Sequence, residues 1–114
     1  MDKSIKGILA RNPNRIPIIC LPGLNSTMKP LDKKKFLVPR DLTFSQFIYV
    51  IRSRMKSESI QDIQNKEAIY LYYRDNKNKM CIPNPSTIMS YIYEENMSED
   101  KCLYVYYDKE NMFG

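Results

Sequence analysis

Residues 32–54 read DKKKFLVPRDLTFSQFIYVIRSR. This stretch changes period half-way. Phe36, Leu37 and Val38 form a short apolar run closed by Pro39, the pattern of a strand that stops at a proline. From Thr43 onward the apolar residues fall at helical spacing: Phe44, Phe47, Ile48, Ile51 and, just beyond, Met55 lie on one stripe. Thr43 and Gln46 have the Thr-x-x-Gln spacing of a capping box, which fixes where the helix begins. Arg52, Arg54 and Lys56 crowd its last turns, where cations suit the helix dipole.

Upstream, RIPIICL (15–21) is β-branched and apolar, hence a strand. Pro17 inside it predicts an edge position or a bulge. The turn-rich PGLNSTMKP joins it to the 36–38 run, so the two strands are expected to form an antiparallel hairpin. Before them, DKSIKGILAR spaces Ile5, Ile8 and Leu9 as a short helix that must dock on something, and Pro13 ends it.

Downstream of the central helix, KSESIQDIQNKE is a polar connection and AIYLYYR (68–74) a strand in which Tyr70, Tyr72 and Tyr73 read as core. A minor strand is expected at Met80–Ile82. A second helix follows from about Pro85 to Asn96, with Asn84 or Ser86 as its cap and Ile88, Met89, Ile92 and Tyr93 as its inner stripe. CLYVYYD (102–108) is the last strand. A hairpin, a central amphipathic helix and then further strands is the order of the β-grasp, or ubiquitin-like, fold: α+β, a mixed sheet wrapping one helix, with the last strand beside the first. One domain over residues 1–114 suits the length, with 1–12 a short helical extension and 111–114 a tail.

The chain has 114 residues, 43% of them hydrophobic, so a packed core is affordable. Its net charge is +5, with both signs mixed along the chain. That excess could attract nucleic acid, an anionic membrane or acidic peptides, and does not choose among them. Histidine is absent, no Gly-rich phosphate loop occurs, and carboxylates pair only as sequence neighbours, so an enzyme is not expected. Cys20, Cys81 and Cys102 are widely spaced, with no CxxC and no histidine to complete a zinc site, and read as reduced thiols. No metal or cofactor is expected. No RNP-like or Gly-x-x-Gly signature accompanies Lys33–Lys35, so nucleic acid is not the expected partner. The longest apolar run, FIYVI, is too short to span a bilayer. Any membrane attachment must therefore come from added chemistry, and the terminal ENMFG, with glycine last, raises the question of what that chemistry uses.

The segments NPNRIPIIC, DKKKFLVPRDLTFSQFIYVIRSR and IYEENMSEDKCLYVYYDKENMFG together resemble the autophagy ubiquitin-like modifiers, the GABARAP and microtubule-associated-protein light-chain family. The likeness runs from about Ile8 to the end. It implies a modifier whose Gly114 is adenylated by an activating enzyme, passed to a conjugating enzyme and joined to phosphatidylethanolamine, with a cysteine protease to release it. Glycine suits this, since without a Cβ it fits a narrow channel and leaves its carbonyl open. Such a protein is cytoplasmic, and bound to autophagosomal or related membranes when lipidated. Without conjugation, the same fold would serve as a peptide adaptor in vesicle or cytoskeletal traffic.

The resemblance also implies a groove for receptor motifs of the form aromatic-x-x-aliphatic, added as a strand to the edge Lys35–Val38. Carried over residue by residue, its aromatic pocket falls on Ile8, Pro17, Ile19, Lys35, Leu37 and Cys102. Its aliphatic pocket falls on Phe36, Val38, Pro39, Leu42, Phe47 and Val50, with Arg54 at the rim. Arg15 and Lys33, with Lys35 and Arg54, would meet acidic flanks. Departures from the family pattern are one N-terminal helix instead of two, Ser4 where an acidic residue often rims the pocket, Cys102 in place of a phenylalanine, and longer connections at 56–67 and 74–85.

Overall fold

The computed structural model describes residues 14–24, 26, 28–58 and 69–109. The expected N-terminal helix, Ile8, Ser4 and the tail with Gly114 lie outside the described residues. The elements are β1 (Arg15–Pro22), β2 (Lys35–Pro39), α1 (Phe44–Ser57), β3 (Ile69–Arg74), β4 (Met80–Cys81), α2 (Met89–Asn96) and β5 (Leu103–Lys109). The strands make one mixed sheet in the order β2-β1-β5-β3-β4. β1 and β5 run parallel, with Ile18 opposite Leu103 and Cys20 opposite Val105. The other neighbours are antiparallel. The last strand therefore sits beside the first, and β2 and β4 are the two edges.

Strand alternation divides the sheet into two faces. Ile16, Ile18, Cys20, Phe36, Val38, Leu71, Leu103, Val105 and Tyr107 turn into the core, where they meet Phe44, Phe47, Ile51 and Met55 of α1. Phe36 and Phe47 pack edge to face, ring centroids 6.3 Å apart. Tyr73 packs against this core, but Tyr72 turns to the opposite face. There its ring stacks between those of Tyr70 and Tyr106, at centroid distances of 5.8 and 5.6 Å. Of the three tyrosines expected in the core, Tyr72 is buried, at 4% exposed, but on the opposite sheet face. Tyr73 is half-buried against the main core, and Tyr70, sent the other way by the period of two, is half-buried beside Tyr72.

Pro17 lies in an interior strand, not at an edge. In the β1–β2 pair the exchanged hydrogen bonds fall on even-numbered β1 residues: Cys20 N–H donates to Lys34 O at 2.8 Å, and Arg40 N–H donates to Asn14 O at 3.2 Å. An odd residue such as Pro17 turns its nitrogen toward β5 instead. Pairing with β5 begins only at Ile18, so the missing N–H costs the ladder nothing.

The capping box is present at α1. Gln46 N–H donates to Thr43 Oγ1 at 3.2 Å, and Thr43 N–H donates to Gln46 Oε1 at 2.9 Å. The second helix is shorter than its sequence suggests, beginning at Met89 with Ile88 as N-cap. Asn84 Oδ1 accepts from the backbone N–H and hydroxyl of Ser86, folding 84–87 into a turn of its own. The carbonyls of Pro85 and Thr87 are then taken by the N–H groups of Ser45 and Phe44, at 3.0 and 2.8 Å. These bonds draw both carbonyls toward α1 and away from the axis of a helix continuing into α2. In return, Met89 and Ser90 donate to the carbonyls of Leu42 and Arg40. Each helix start thus satisfies orphan donors of the other. An Arg40–Glu94 ion pair closes the same junction.

The loop from β1 to β2 is more than a connector. Met28 and Leu31 are buried in the core. The phenol of Tyr107 donates to Lys29 O and accepts from Leu31 N–H, at 3.1 and 3.2 Å. Asp32 N–H donates to Glu58 Oε1 at 2.9 Å. These bonds fix the run of lysines that leads into β2.

Candidate peptide-docking groove

Among the described residues, β2 has β1 on one side and no strand on the other. The parity that pairs Lys34 with Cys20 and Arg40 with Asn14 assigns Phe36 and Val38 to the β1 ladder. Lys35 and Leu37 therefore point their backbone N–H and C=O groups outward, along the open edge. Pro39 ends that edge without a donor. The side chains of Lys35 and Leu37 share a sheet face with Ile19 and Pro17, their partners on β1.

Beside this edge is a groove of about 710 Å³, lined by Ile19, Asp32, Lys33, Lys34, Lys35, Leu37, Cys102 and Tyr104. Its floor is apolar, and charge sits at one end. Lys33 and Lys34 are exposed and Lys35 half-buried. The far wall is organised by Asp100 in the turn before β5. Its Oδ1 accepts from Cys102 N–H at 3.0 Å and its Oδ2 from the Tyr104 phenol at 2.6 Å. That phenol is pushed up to about 12, chiefly because it donates to a carboxylate, then by burial. Burial also raises the Cys102 thiol, reinforced by Asp100 and opposed by Lys35. The sulfur is thus a neutral, apolar part of the wall.

Ile19, Lys35, Leu37, Cys102 and Lys33 come together in this groove, while Pro17 is buried opposite Leu37 and is not part of the lining. Asp32, Lys34 and Tyr104 also line it. Tyr104 was legible in principle: it alternates with the core residues Leu103 and Val105, so it shares a face with Ile19, its partner across the parallel pair.

The second set of residues is divided. Phe36, Val38 and Phe47 are 6%, 5% and 0% exposed and belong to the core, with Leu42 packed against them. Pro39 is exposed at the end of β2. Val50 and Arg54 instead line a shallower hollow of about 310 Å³ on the outer side of α1, with Tyr49, Ser53 and Ser57. Arg15 lies at the other end of the β2 edge from the lysines, and its Nη1 donates to Leu37 O at 3.2 Å.

The model of a family described as autophagy protein Atg8, ubiquitin-like, matches residues 2–114. This chain belongs to the Atg8 family. It is 42% identical over 107 residues to autophagy-related protein 8 of Schizosaccharomyces pombe, an alignment covering 94% of this chain and 79% of that protein. Its identity to the Candida albicans protein of the same name is 41%, over 94% of this chain and 71% of the relative. Among solved structures, Trypanosoma brucei ATG8 superposes with a TM-score of 0.79 at 34% identity, covering 99% of this chain and 88% of that one. The ubiquitin-like, α+β fold is therefore shared by sequence and by structure. Membership in the Atg8 family also places the chain among ubiquitin-like proteins of autophagy. No helix among the described residues is long and apolar enough to cross a membrane.

Proposed function

We propose that this chain is a ubiquitin-like modifier, not a catalyst, joined through Gly114 to phosphatidylethanolamine on autophagosomal or related membranes. The activating and conjugating enzymes handle the glycine carboxylate, and a cysteine protease releases the product. Once anchored, the domain recruits receptors whose aromatic-x-x-aliphatic segments add to β2. The supporting observation is the coincidence, in an Atg8-family chain, of an open strand edge, an apolar groove and a lysine-rich rim. Main-chain hydrogen bonds to Lys35 and Leu37 would supply affinity, the Ile19–Leu37–Cys102–Tyr104 floor would take the aromatic anchor, and Lys33–Lys35 would draw acidic flanks. The aliphatic anchor belongs near Pro39, Leu42 and Val50, where Phe36, Val38 and Phe47 provide the packed base and Arg54 the rim. A lipid anchor supplies membrane affinity through its acyl chains.

The test is reconstitution. The protein is incubated with activating and conjugating enzymes, ATP and phosphatidylethanolamine liposomes, and the product is read by mass spectrometry. A phosphatidylethanolamine adduct at Gly114, absent from Gly114→Ala, is the expected result. No adduct from enzymes that modify another family member would leave the chain as an unconjugated adaptor.

A further inference from the structure

We propose that Leu24 is a wedge for the lipid bilayer, seated at the headgroup–acyl boundary when Gly114 is conjugated. The inference rests on the reading of Gly114 as the conjugation site. Leu24 is 87% exposed, the most exposed large hydrophobic side chain among the described residues. A lone exposed leucine is ordinary on a protein surface; what marks this one is where the backbone puts it. β1 and β5 run parallel, with Pro22 opposite Tyr107, so both strands end on the same side of the sheet. Leu24 lies just past the end of β1. From Lys109, the end of β5, the chain has five residues to Gly114 and spans at most roughly 17 Å when extended. A bilayer joined to Gly114 is therefore held within that reach of the sheet end that carries Leu24.

The turn holds Leu24 outward. Gly23 is buried; its N–H donates to Tyr107 O at 2.9 Å, and its carbonyl accepts from Ser26 N–H at 3.0 Å. A Cβ on Gly23 would come within 2.6 Å of the Tyr72 phenol oxygen and 3.0 Å of Asp108 Oδ2. The backbone is thus pressed onto β3 and β5, and the next side chain projects from a fixed base. Burying one leucine favours the seated arrangement by roughly 10- to 100-fold. That is too little to bring a free domain to a membrane, where even a single acyl chain binds only marginally. It is enough to orient a domain already tethered, because the tether supplies the effective concentration. The seated domain stands on the carboxyl ends of β1 and β5. β2 runs antiparallel to β1, so its Lys35 end is nearer the bilayer and its Pro39 end farther away. Tyr91 of α2, 65% exposed, marks the far end: Ser90 N–H donates to Arg40 O, and Arg40 N–H to Asn14 O, just before β1.

The chain contains no tryptophan, so an indole introduced at one position reports on that position alone. Leu24→Trp and, as the far-end control, Tyr91→Trp are conjugated to liposomes of phosphatidylethanolamine and phosphatidylcholine, with and without bromine on the acyl chains. Adduct formation is read by mass spectrometry. In the adduct, Leu24→Trp emission should shift to the blue and lose intensity to the bromines. Tyr91→Trp should do neither, and nor should either protein before conjugation. For the native side chain, hydrogen exchange of the 23–26 amides should slow on conjugation in the unaltered protein and stay the same in Leu24→Asp. An adduct in which Leu24→Trp is unquenched, in which both indoles are quenched equally, or in which native exchange is unchanged would overturn the wedge and leave conjugation standing. A blue shift in unconjugated Leu24→Trp that grows with protein concentration would give Leu24 to a second copy instead. If no adduct forms with enzymes that modify another family member, conjugation fails and the wedge falls with it.

Discussion

The two edges of the sheet solve the same physical problem differently. An edge strand exposes unpaired backbone groups and invites another chain. At β4 the exposure is kept short: two residues, Met80 and Cys81, before the chain leaves toward Pro83. The β3–β4 turn is held by Asp75, whose Oδ1 accepts from Lys77 and Lys79 N–H, both at 2.9 Å, and by Asn78 in the left-handed region at φ 64°. At β2 the strand runs five residues, is backed by a groove, and is bordered by lysines at one end and Arg15 at the other. One edge is ended quickly. The other is left long enough to pair, beside an apolar groove and flanking positive charge.

The largest expected effect concerns what lies beneath the long edge. Phe47 is fully buried and braces Phe36 of β2. Phe47→Ala should lower stability by about 3–5 kcal/mol in denaturant unfolding. Under native conditions it should speed hydrogen exchange of β2 amides more than of β4. Equal loosening of both edges would show that the core does not favour either.

A direct challenge comes next. Lys35→Glu combined with Leu37→Ala should reduce calorimetric affinity for a Trp-x-x-Leu peptide by about 100-fold or more, the scale of a central hot spot. Met80→Ala with Ile82→Ala, at the short edge, should leave it unchanged. The reverse pattern would exchange the roles of the two edges.

Much of this was legible in the sequence. The strand-to-helix switch in residues 32–54 is written in a change of period, and Thr43 and Gln46 mark its boundary as expected. The start of α2 was not legible, because the carbonyls of Pro85 and Thr87 are claimed by α1, a contact between segments far apart in sequence. For the same reason, composition marks PGLNSTMKP as a loop but cannot show that Met28 and Leu31 fill the core. At the groove, Ile19, Lys35, Leu37 and Cys102 came from resemblance. Alternation gives the sheet face of Tyr104, but its place beside Ile19 required the register of β1 against β5, and Asp32 required the path of the loop. The bond from Arg15 to Leu37 depends on side-chain placement across two strands, which no spacing encodes.

Smaller effects sharpen the contrast. Thr43→Ala removes the cap of the helix under β2 and should cost about 1 kcal/mol, read by thermal unfolding. At the other edge, Asp75 is held below the ordinary carboxylate value of 3.8, first by the Lys79 N–H and then, against some opposing burial, by the Lys77 N–H. A carboxylate lowered on folding contributes above its unfolded value and loses that contribution as pH falls through its folded value. Below about pH 4 the Lys77 and Lys79 amide resonances should therefore shift as the β3–β4 turn loosens. The Leu37 carbonyl, whose partner is a guanidinium, should not follow.

The most direct measurement is amide chemical-shift mapping of the full chain during titration with a Trp-x-x-Leu peptide. Docking on the long edge predicts the largest changes at Lys35, Leu37 and Tyr104, with Met80 and Cys81 unmoved. Saturable changes centred on β4 or on the Tyr49–Arg54 hollow, with β2 silent, would contradict it.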